Sequence, residues 1–570
     1  MLTTPALHAA PNPNNGPELS QARHYGPAPH PFVVPPELRT GQAQRHPVVI
    51  VGGGIGGLTL ACSLAQLGVA AIVLQEEKAV GANGIPSRGI CYIQKSLEIF
   101  DRLGIYDRIA AKGVQWSVGR TFSGLDEIYS FDMRQQSNFG LSRQPPYLNI
   151  QQFYIEAFLE ERIAELGHID LRWQSRVTDF AQDDDVATLT VQTPAGAYTL
   201  QADHVIDATG PRSPFHQWCG ATIHSHRGDD RWCIVDVRFK SDPPSERHVW
   251  IEAPFNDNRA ARLHLMADDV WRIEYQMAPD SNPDGKRLDA QVHERLKRQF
   301  GADVAYDIVW IGSYAYRSQC LDRLRIGRVF FLGDAAKVVS PFGAHGGNAG
   351  ISDANNLAWK LAAVLKGRAP ARLLDSYHEE RHEAAEQTLR VTNRTSRFMQ
   401  PKDGAERLFR NTVIGLARQY PFARQMVNTG RMAVANRYTQ SSVCESTGGR
   451  SVQNVSFRWA DGSSGSVNQL LKWADGDLLV LVFGPLSPIA SERLRQLASH
   501  APVRCVQVLE ADGRPQAIEY VRDPLGHLQG ACHVFGHAWA IVRPGGYLAA
   551  TGETVDTSLV YAVEHALGMR

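Results

Sequence analysis

Residues 48–76, VVIVGGGIGGLTLACSLAQLGVAAIVLQE, constrain this chain more than any other stretch. Four apolar residues, 48–51, read as a buried parallel strand, and they run into Gly52-x-Gly54-x-x-Gly57. A helix of apolar periodicity follows, stops at Gly68, and gives way to a second apolar run at 69–74 that ends on Glu76. This is a βαβ unit with glycines where a dinucleotide needs them. Gly52 allows the tight turn, Gly54 lets a pyrophosphate reach the backbone, and Gly57 lets helix and strand pack closely. The helix N-terminus offers unpaired N–H groups and a partial positive charge to phosphates. The fold class that follows is α/β, with a Rossmann-type sheet at its centre.

At 570 residues the chain has room for two or three domains. Its formal net charge is zero and its charges are mixed, which argues against nucleic acid as a partner. No apolar run reaches about 18 residues, so no membrane span is expected. Nor is there a charged segment leading into an apolar core, as secretion would require. The eight cysteines lack CxxC or metal-ligand spacing and read as thiols in a reducing cytoplasm, with no metal site. His224-x-His226 has strand spacing for two ligands on one face, but no third ligand is evident.

Ten of the 31 prolines fall in the first 47 residues, so 1–46 read as a disordered or extended arm. Residues 47–230 and 312–395 carry the dinucleotide-binding pattern in two pieces, including a helix over 151–166 and a loop at 81–87. Between them, 231–311 are β-rich with aromatic punctuation (WCIVDVRF, HVWIEA, RLHLMA, VWRIEYQM, IVWIG), which suits an antiparallel sheet facing a ligand. Helical periodicity runs over 372–437, with 396–450 as a helical segment. Residues 448–465 read as a loop marking a boundary, and 451–570 as a small α/β domain.

A second glycine-rich segment, RVFFLGDAAKVVSPFGAHGGNAGISDANNLAWKL at 328–361, bears on which dinucleotide is bound. Asp334 lies at a strand end, where it can accept hydrogen bonds from a polyol chain. Residues 343–350 form a glycine-rich turn before a helix expected over 351–365, and its N–H groups suit an electron-rich oxygen of a ring system. With VGGGIGGL (51–58), Arg88, IQQFYIE (150–156), GRVFFLGDAA (327–336) and PFGAHGGNAGISDANNLAWKL (341–361), the chain resembles the FAD-dependent aromatic-ring hydroxylases. These are single-component flavoprotein monooxygenases of the p-hydroxybenzoate and phenol hydroxylase group. The likeness is greatest to the 3-(3-hydroxyphenyl)propionate hydroxylase branch. The terminal segment with IVRPGGYLAA (541–550) resembles the thioredoxin-like domain appended to phenol hydroxylases. Without CxxC it would serve packing or homodimerisation rather than redox chemistry.

The resemblance implies an FAD-binding domain interleaved with a β-rich substrate domain, followed by the thioredoxin-like domain. It further implies FAD reduced by NADH or NADPH, O2 captured as a C4a-hydroperoxide, and oxygen transfer to a small phenolic or aromatic acid. Carried over by position, Gly52, Gly54 and Gly57 lie at the pyrophosphate. Gln75 takes the usual Glu place at the ribose, with Glu76 beside it, and which of the two binds is open. Arg88 and Gln152 contact the ribityl-phosphate portion, Val177 offers a backbone contact to adenine, and Asp334 binds the ribityl chain. Gly346, Gly347 and Asn348 line the pyrimidine side of the isoalloxazine. Three departures stand out: Thr209 replaces Asp in the Asp-Gly motif, which bears on reduction by NAD(P)H. Lys337 replaces His after GDAA, and His345 stands where Gln or Arg is usual. A base or proton relay would help activate a phenol. The candidates for catalytic work are His345, Arg272 (sharing a strand face with Glu274 and Gln276), Tyr275 opposite, and Tyr316 near Tyr314 and Arg317.

Overall fold

The computed structural model describes residues 29–81, 89–136, 139–240, 245–278, 285–430, 432–516, 518–534 and 536–570, without the side chains of 226–230, 285–286 and 315–317. The apolar run at 48–51 forms the end of the strand Gln44–Val51, which is central to the first sheet. Ala71–Leu74 and Gly196–Asp207 flank it in parallel, with Ile169–Arg172 beyond one and Val329–Phe331 beyond the other. A buried parallel strand is apolar on both faces, and Val48, Val49 and Ile50 are wholly enclosed. Register brings Val51 level with Leu74 and Asp207, and Asp207 level with Phe331. Turns far apart in the chain thus leave one carboxyl edge together, where ligands of such sheets bind.

A second sheet runs in the order Lys337–Val338, Tyr306–Leu321, Ile223–Phe239, Val270–Gln276, Arg259–Leu265, Arg247–Ala253, Val118–Ser123, Asp126–Asp132. Residues 231–311 form only its middle; it also takes a hairpin from over a hundred residues upstream, through the parallel pairing of Val118–Ser123 with Arg247–Ala253. The helix Gly285–Phe300 within this stretch is absent from the β-rich sequence reading. Its Leu288, Val292 and Leu296 recur at four-residue spacing and pack with Cys233, Val235, Ile273 and Tyr275 on one face of the sheet. That leaves the other face to the first sheet's ligand edge.

Other expectations are narrowed or revised. Of the two readings of the proline-rich arm, the described part from residue 29 fits the extended one: most of 29–45 is exposed, and a few contacts pin it to the surface. Pro36–Thr40 is a short helix, Glu37 is buried against Arg172 (2.9 Å) and His46 (3.0 Å), and His30 stacks on Trp173. The glycine-rich turn is shorter than expected, because the helix begins at His345 and runs to Leu365. Gly350 is therefore helical and packs beside Gly333. Helices stop at Arg424, so 425–437 are not helical among the described residues. The 448–465 stretch contains the antiparallel strands Ser456–Trp459 and Ser464–Ser466.

The third unit has its own sheet. Leu478–Phe483 pairs in parallel with Val503–Leu509, and Trp539–Arg543 and Tyr547–Gly552 follow as an antiparallel hairpin beside Leu478–Phe483. The helices Pro488–His500 and Thr557–Ala566 cover it. It docks through buried polar groups. Glu380 binds Lys360 (2.9 Å), Ser441 (2.6 Å) and Arg543, Asn355 donates to the Gly545 carbonyl (2.9 Å), and Arg102 donates to Asn468 (3.0 Å). Among the described residues no helix is long and apolar enough to cross a membrane. All eight cysteines are unpaired thiols.

Candidate active site

Two helix N-termini converge on the carboxyl edge of the first sheet. The first belongs to Ile55–Gln66, whose N-cap Gly54 provides no side-chain cap; Glu156 takes the Ile55 N–H, which leaves the N–H groups of Gly56 and Gly57 as the first-turn donors a ligand can use. Gly52 has φ +109°, and a Cβ there would stand 2.4 Å from the Ala208 carbonyl oxygen. At Gly57 a Cβ would lie 2.0 Å from the Gly52 oxygen, whereas at Gly54 it would meet nothing within 4 Å. Two glycines are thus required by the protein's own packing, and the third leaves backbone open to a bound group. Gln75 closes the loop by accepting from the Gly53 N–H at 2.7 Å.

The second N-terminus belongs to His345–Leu365. The chain enters it through Gly343 (φ +82°) and Ala344 (φ +59°), a left-handed pair, and residues 345–347 of the first turn border the cavity. Ala344 offers no side-chain cap, and Gly347 has open space where a Cβ would be. Asn348 fastens this end: its amide oxygen accepts from Ile93 N–H (3.1 Å), and its amide nitrogen donates to the Cys91 (2.9 Å) and Ala344 (2.6 Å) carbonyls.

Between the two lies a cavity of about 930 Å³. Gly54, Gly57, Gln152, Asp334, His345, Gly346, Gly347 and Asn348 all line it, so one cavity gathers these predicted residues from four separate motifs. Such a cradle fits FAD: backbone N–H groups for the pyrophosphate, a carboxylate at a strand end for the ribityl hydroxyls, and a helix N-terminus for the ring oxygen. Glu156, one turn beyond Gln152, accepts from its amide at 2.7 Å. Burial pushes the Glu156 carboxyl up to about 7, against hydrogen bonds from Gln152 and the Ile55 N–H.

Other predicted positions lie apart. Glu76 is solvent-exposed, 3.5 Å from Arg176. Val177 is buried, and the residues just before it bond the backbone of Gln75 and Glu77. Arg88 lies outside the described residues, as does the side chain of Tyr316. Tyr275 does not reach the cavity. Strand alternation turns it under the Gly285–Phe300 helix, where its hydroxyl donates to Gln299 at 2.8 Å. Arg272 faces the cavity side but does not line it, being fully engaged with Asp236 at 2.8 Å through two nitrogens.

The far wall is the cavity-facing side of the second sheet, the ligand-facing sheet that the sequence implies, although of its charged residues the sequence singles out Glu274 and not Arg247, Arg262 or His264. Arg247, Arg262, His264 and Glu274 line it, all buried, on three adjacent strands. Arg262 pairs with Glu274 at 2.9 Å and lies over the rings of Trp232 and Phe342. Burial, with Arg247, Arg262 and Arg272 close by, holds the His264 imidazole well below its usual range, so it is neutral at pH 7. Burial, reinforced by Arg262, lowers Arg247 to about 10, and it stays charged.

Two of the departures acquire physical reasons. The Thr209 hydroxyl (2.6 Å) and N–H (3.1 Å) both bind Asp207, two residues upstream and fully buried, whose other oxygen accepts from Ser213 at 2.5 Å. The carboxylate of this turn therefore comes from the strand end. Lys337 binds Asp353 at 2.5 Å; Asp353 also binds Arg381 (2.6 Å) and accepts from the Gly333 N–H (3.0 Å). A long cation reaches that buried carboxylate beneath the turn that presents Asp334.

Comparison with known proteins follows the same outline. The profile of the family described as FAD binding domain matches residues 45–392. A 3-(3-hydroxy-phenyl)propionate/3-hydroxycinnamic acid hydroxylase of Burkholderia cenocepacia (strain HI2424) is 28% identical over 448 residues, 76% of this chain and 79% of the relative. A flavin-dependent monooxygenase of Mycobacteroides abscessus is 31% identical over 350 residues, 60% of this chain and 72% of the relative. Among solved structures, the flavin-dependent monooxygenase PieE in complex with FAD and substrate superposes with TM-score 0.78 at 20% identity, over 92% of this chain and all of that one. The p-nitrophenol 4-monooxygenase PnpA from Pseudomonas putida DLL-E4 gives TM-score 0.60 at 26% identity, over 69% of this chain and all of that one.

Proposed function

Because the chain belongs to the FAD binding domain family of flavoproteins, and is a flavin-dependent monooxygenase, we propose that it hydroxylates a small phenolic or aromatic acid with NAD(P)H and O2. The observation that carries this reading is a single cavity shared by the dinucleotide cradle and a buried polar sheet face. When bound, FAD supplies the redox and oxygen chemistry, which no side chain here can provide.

The protein's part is positioning. The N–H groups beyond Gly54 hold the pyrophosphate, Asp334 the ribityl hydroxyls, and Gln152 the adjoining polar portion. Gln75, fixed at the glycine loop, is the ribose contact in preference to Glu76, which points to solvent. Val177 remains our adenine contact, because its neighbours bond the Gln75 strand end. The N–H groups at Gly346 and Gly347 orient the ring system. His345, nearly buried at the mouth of the helix, is the proposed residue beside the reacting ring. The enclosing walls exclude water, which keeps reduced cofactor and oxygen from wasteful release of H2O2.

The third unit's parallel pair followed by an antiparallel hairpin and helix supports a thioredoxin-like module. Its cysteines include no CxxC, so we assign it packing or homodimerisation. Unpaired thiols throughout favour a cytoplasmic setting.

The test is purification with excess FAD, followed by a panel of phenols and aromatic acids. NAD(P)H consumption, H2O2 and product mass are measured together. Substrate-stimulated consumption with a product heavier by one oxygen is the expected result. Colourless protein, or turnover that never adds oxygen, would overturn the reading; the second outcome would leave an FAD oxidoreductase, which the Thr209 replacement keeps in view.

A further inference from the structure

Resting on the hydroxylase reading, we propose that Arg247 is the anchor for a carboxylate on the substrate, so that the enzyme selects aromatic acids over their neutral counterparts.

Three buried arginines, Arg247, Arg262 and Arg272, stand on adjacent strands of the sheet that walls the cavity. Arg272 is held by Asp236 (2.8 Å) and Arg262 by Glu274 (2.9 Å), each pair buried. Arg247 is the third buried arginine on this face among the described residues. It is 5% exposed and lines the cavity, yet its guanidinium makes no hydrogen bond or ion pair among the described residues: Glu274, which attracts it from a distance, is bonded to Arg262. It shares its strand face with Val249 and Ile251, positions that otherwise demand apolar side chains. A buried charge without a partner is costly, so stability alone does not account for it there. On the neighbouring strand, His264 also lines the cavity, with Nδ1 lacking any hydrogen-bond partner among the described residues. Being neutral, it does not compete for an anion but can share one of its oxygens. A guanidinium presents two parallel N–H donors, which match the two oxygens of a carboxylate.

The test uses FAD-loaded protein and paired probes: 3-hydroxybenzoate, 3-(3-hydroxyphenyl)propionate and 3-hydroxycinnamate, each against its methyl ester and against the acid with its phenol methylated. Binding is read from the perturbation of the bound flavin's absorbance, which does not require turnover. At least one acid should bind about tenfold or more tightly than its ester, the scale of one charge-assisted hydrogen bond. Arg247→Met should bring that ratio to about one while ester affinity stays within about twofold, and Arg247→Lys should restore part of the preference. An acid preference that survives in a folded, flavin-loaded R247M protein overturns the proposal, as does wild-type indifference to esterification. Should R247M fail to load flavin, R247K decides: a reduced preference with normal flavin loading supports the bidentate anchor, and an undiminished one overturns it. Loss of preference on methylating the phenol instead of the carboxyl would also overturn the proposal. If products gain no oxygen but the R247M-sensitive acid preference holds, the hydroxylase reading fails and the anion site stands.

Discussion

At the scale of single residues, what the sequence discloses depends on how local the physics is. Gly52, Gly54 and Gly57 act within a few residues of one another, so their spacing is readable. A Cβ at Gly57 would sit 2.0 Å from backbone that cannot yield. Gly57→Ala should therefore lose at least about 1–3 kcal/mol of stability and most flavin retention, read from the melting temperature and the ratio of flavin to protein absorbance. Arg247 and His264 were not readable in this way, because their meaning depends on which strands lie side by side; the only local sign was polar residues at inward positions between Val and Ile. Glu156 gives a second prediction. Its carboxyl rises from 4.5 to about 7 on burial, so folding favours the protonated form. Its stabilising contribution is complete below pH 4.5 and is lost as pH climbs through 7. Glu156→Gln should thus gain on the wild type by roughly 3 kcal/mol between pH 4.5 and pH 8. Denaturant titrations at pH 5 and pH 8 check this; an advantage that shrinks towards pH 8 would contradict it.

At the scale of elements, the parallel strands, both glycine-rich helices and most of the β-rich middle were legible from apolar period. Boundaries that depend on long-range contact were not. The helix at His345 starts early because Gly343 and Ala344 take left-handed angles and Asn348 ties the end to Cys91 and Ile93. Gly285–Phe300 had a readable four-residue repeat, but the strands around it dominated the pattern. Lys337 belongs to this scale, since it joins a strand to a helix through Asp353. Burial alone would raise that carboxyl, yet Lys337 and Arg381 together hold it below its ordinary value. Lys337→Met should cost roughly 3–5 kcal/mol, as removal of one partner from a buried pair does. It should also weaken FAD binding, because Asp353 steadies the Gly333 N–H. Chemical denaturation and flavin titration of the same variant measure both effects; normal flavin affinity in a destabilised protein would separate the lysine from the cradle.

At the scale of the whole molecule, buried ions join the third unit to the cofactor-binding portion. Coulombic attraction from Arg543 and Lys360 overcomes burial and holds Glu380 well below the usual carboxylate range. Burial pulls Lys360 down to about 8 despite Glu380. Arg543→Met should lower stability by roughly 3–5 kcal/mol and still give a single calorimetric transition, because the third unit closes over groups that the cofactor-binding portion cannot leave exposed. An early transition that leaves the flavin signal untouched would show the units to be independent. The helix His345–Leu365 makes the point concrete. Its first turn faces the cradle, while Asn355 and Lys360, further along it, are gripped by Gly545 and by the Glu380–Arg543 cluster. Anyone splicing these sequences should therefore treat the tail as part of the chassis: a chimera that borrows another protein's C-terminal unit must bring a matching arginine and glycine loop, or the helix that carries the cofactor's seat will lose the grip on its far end.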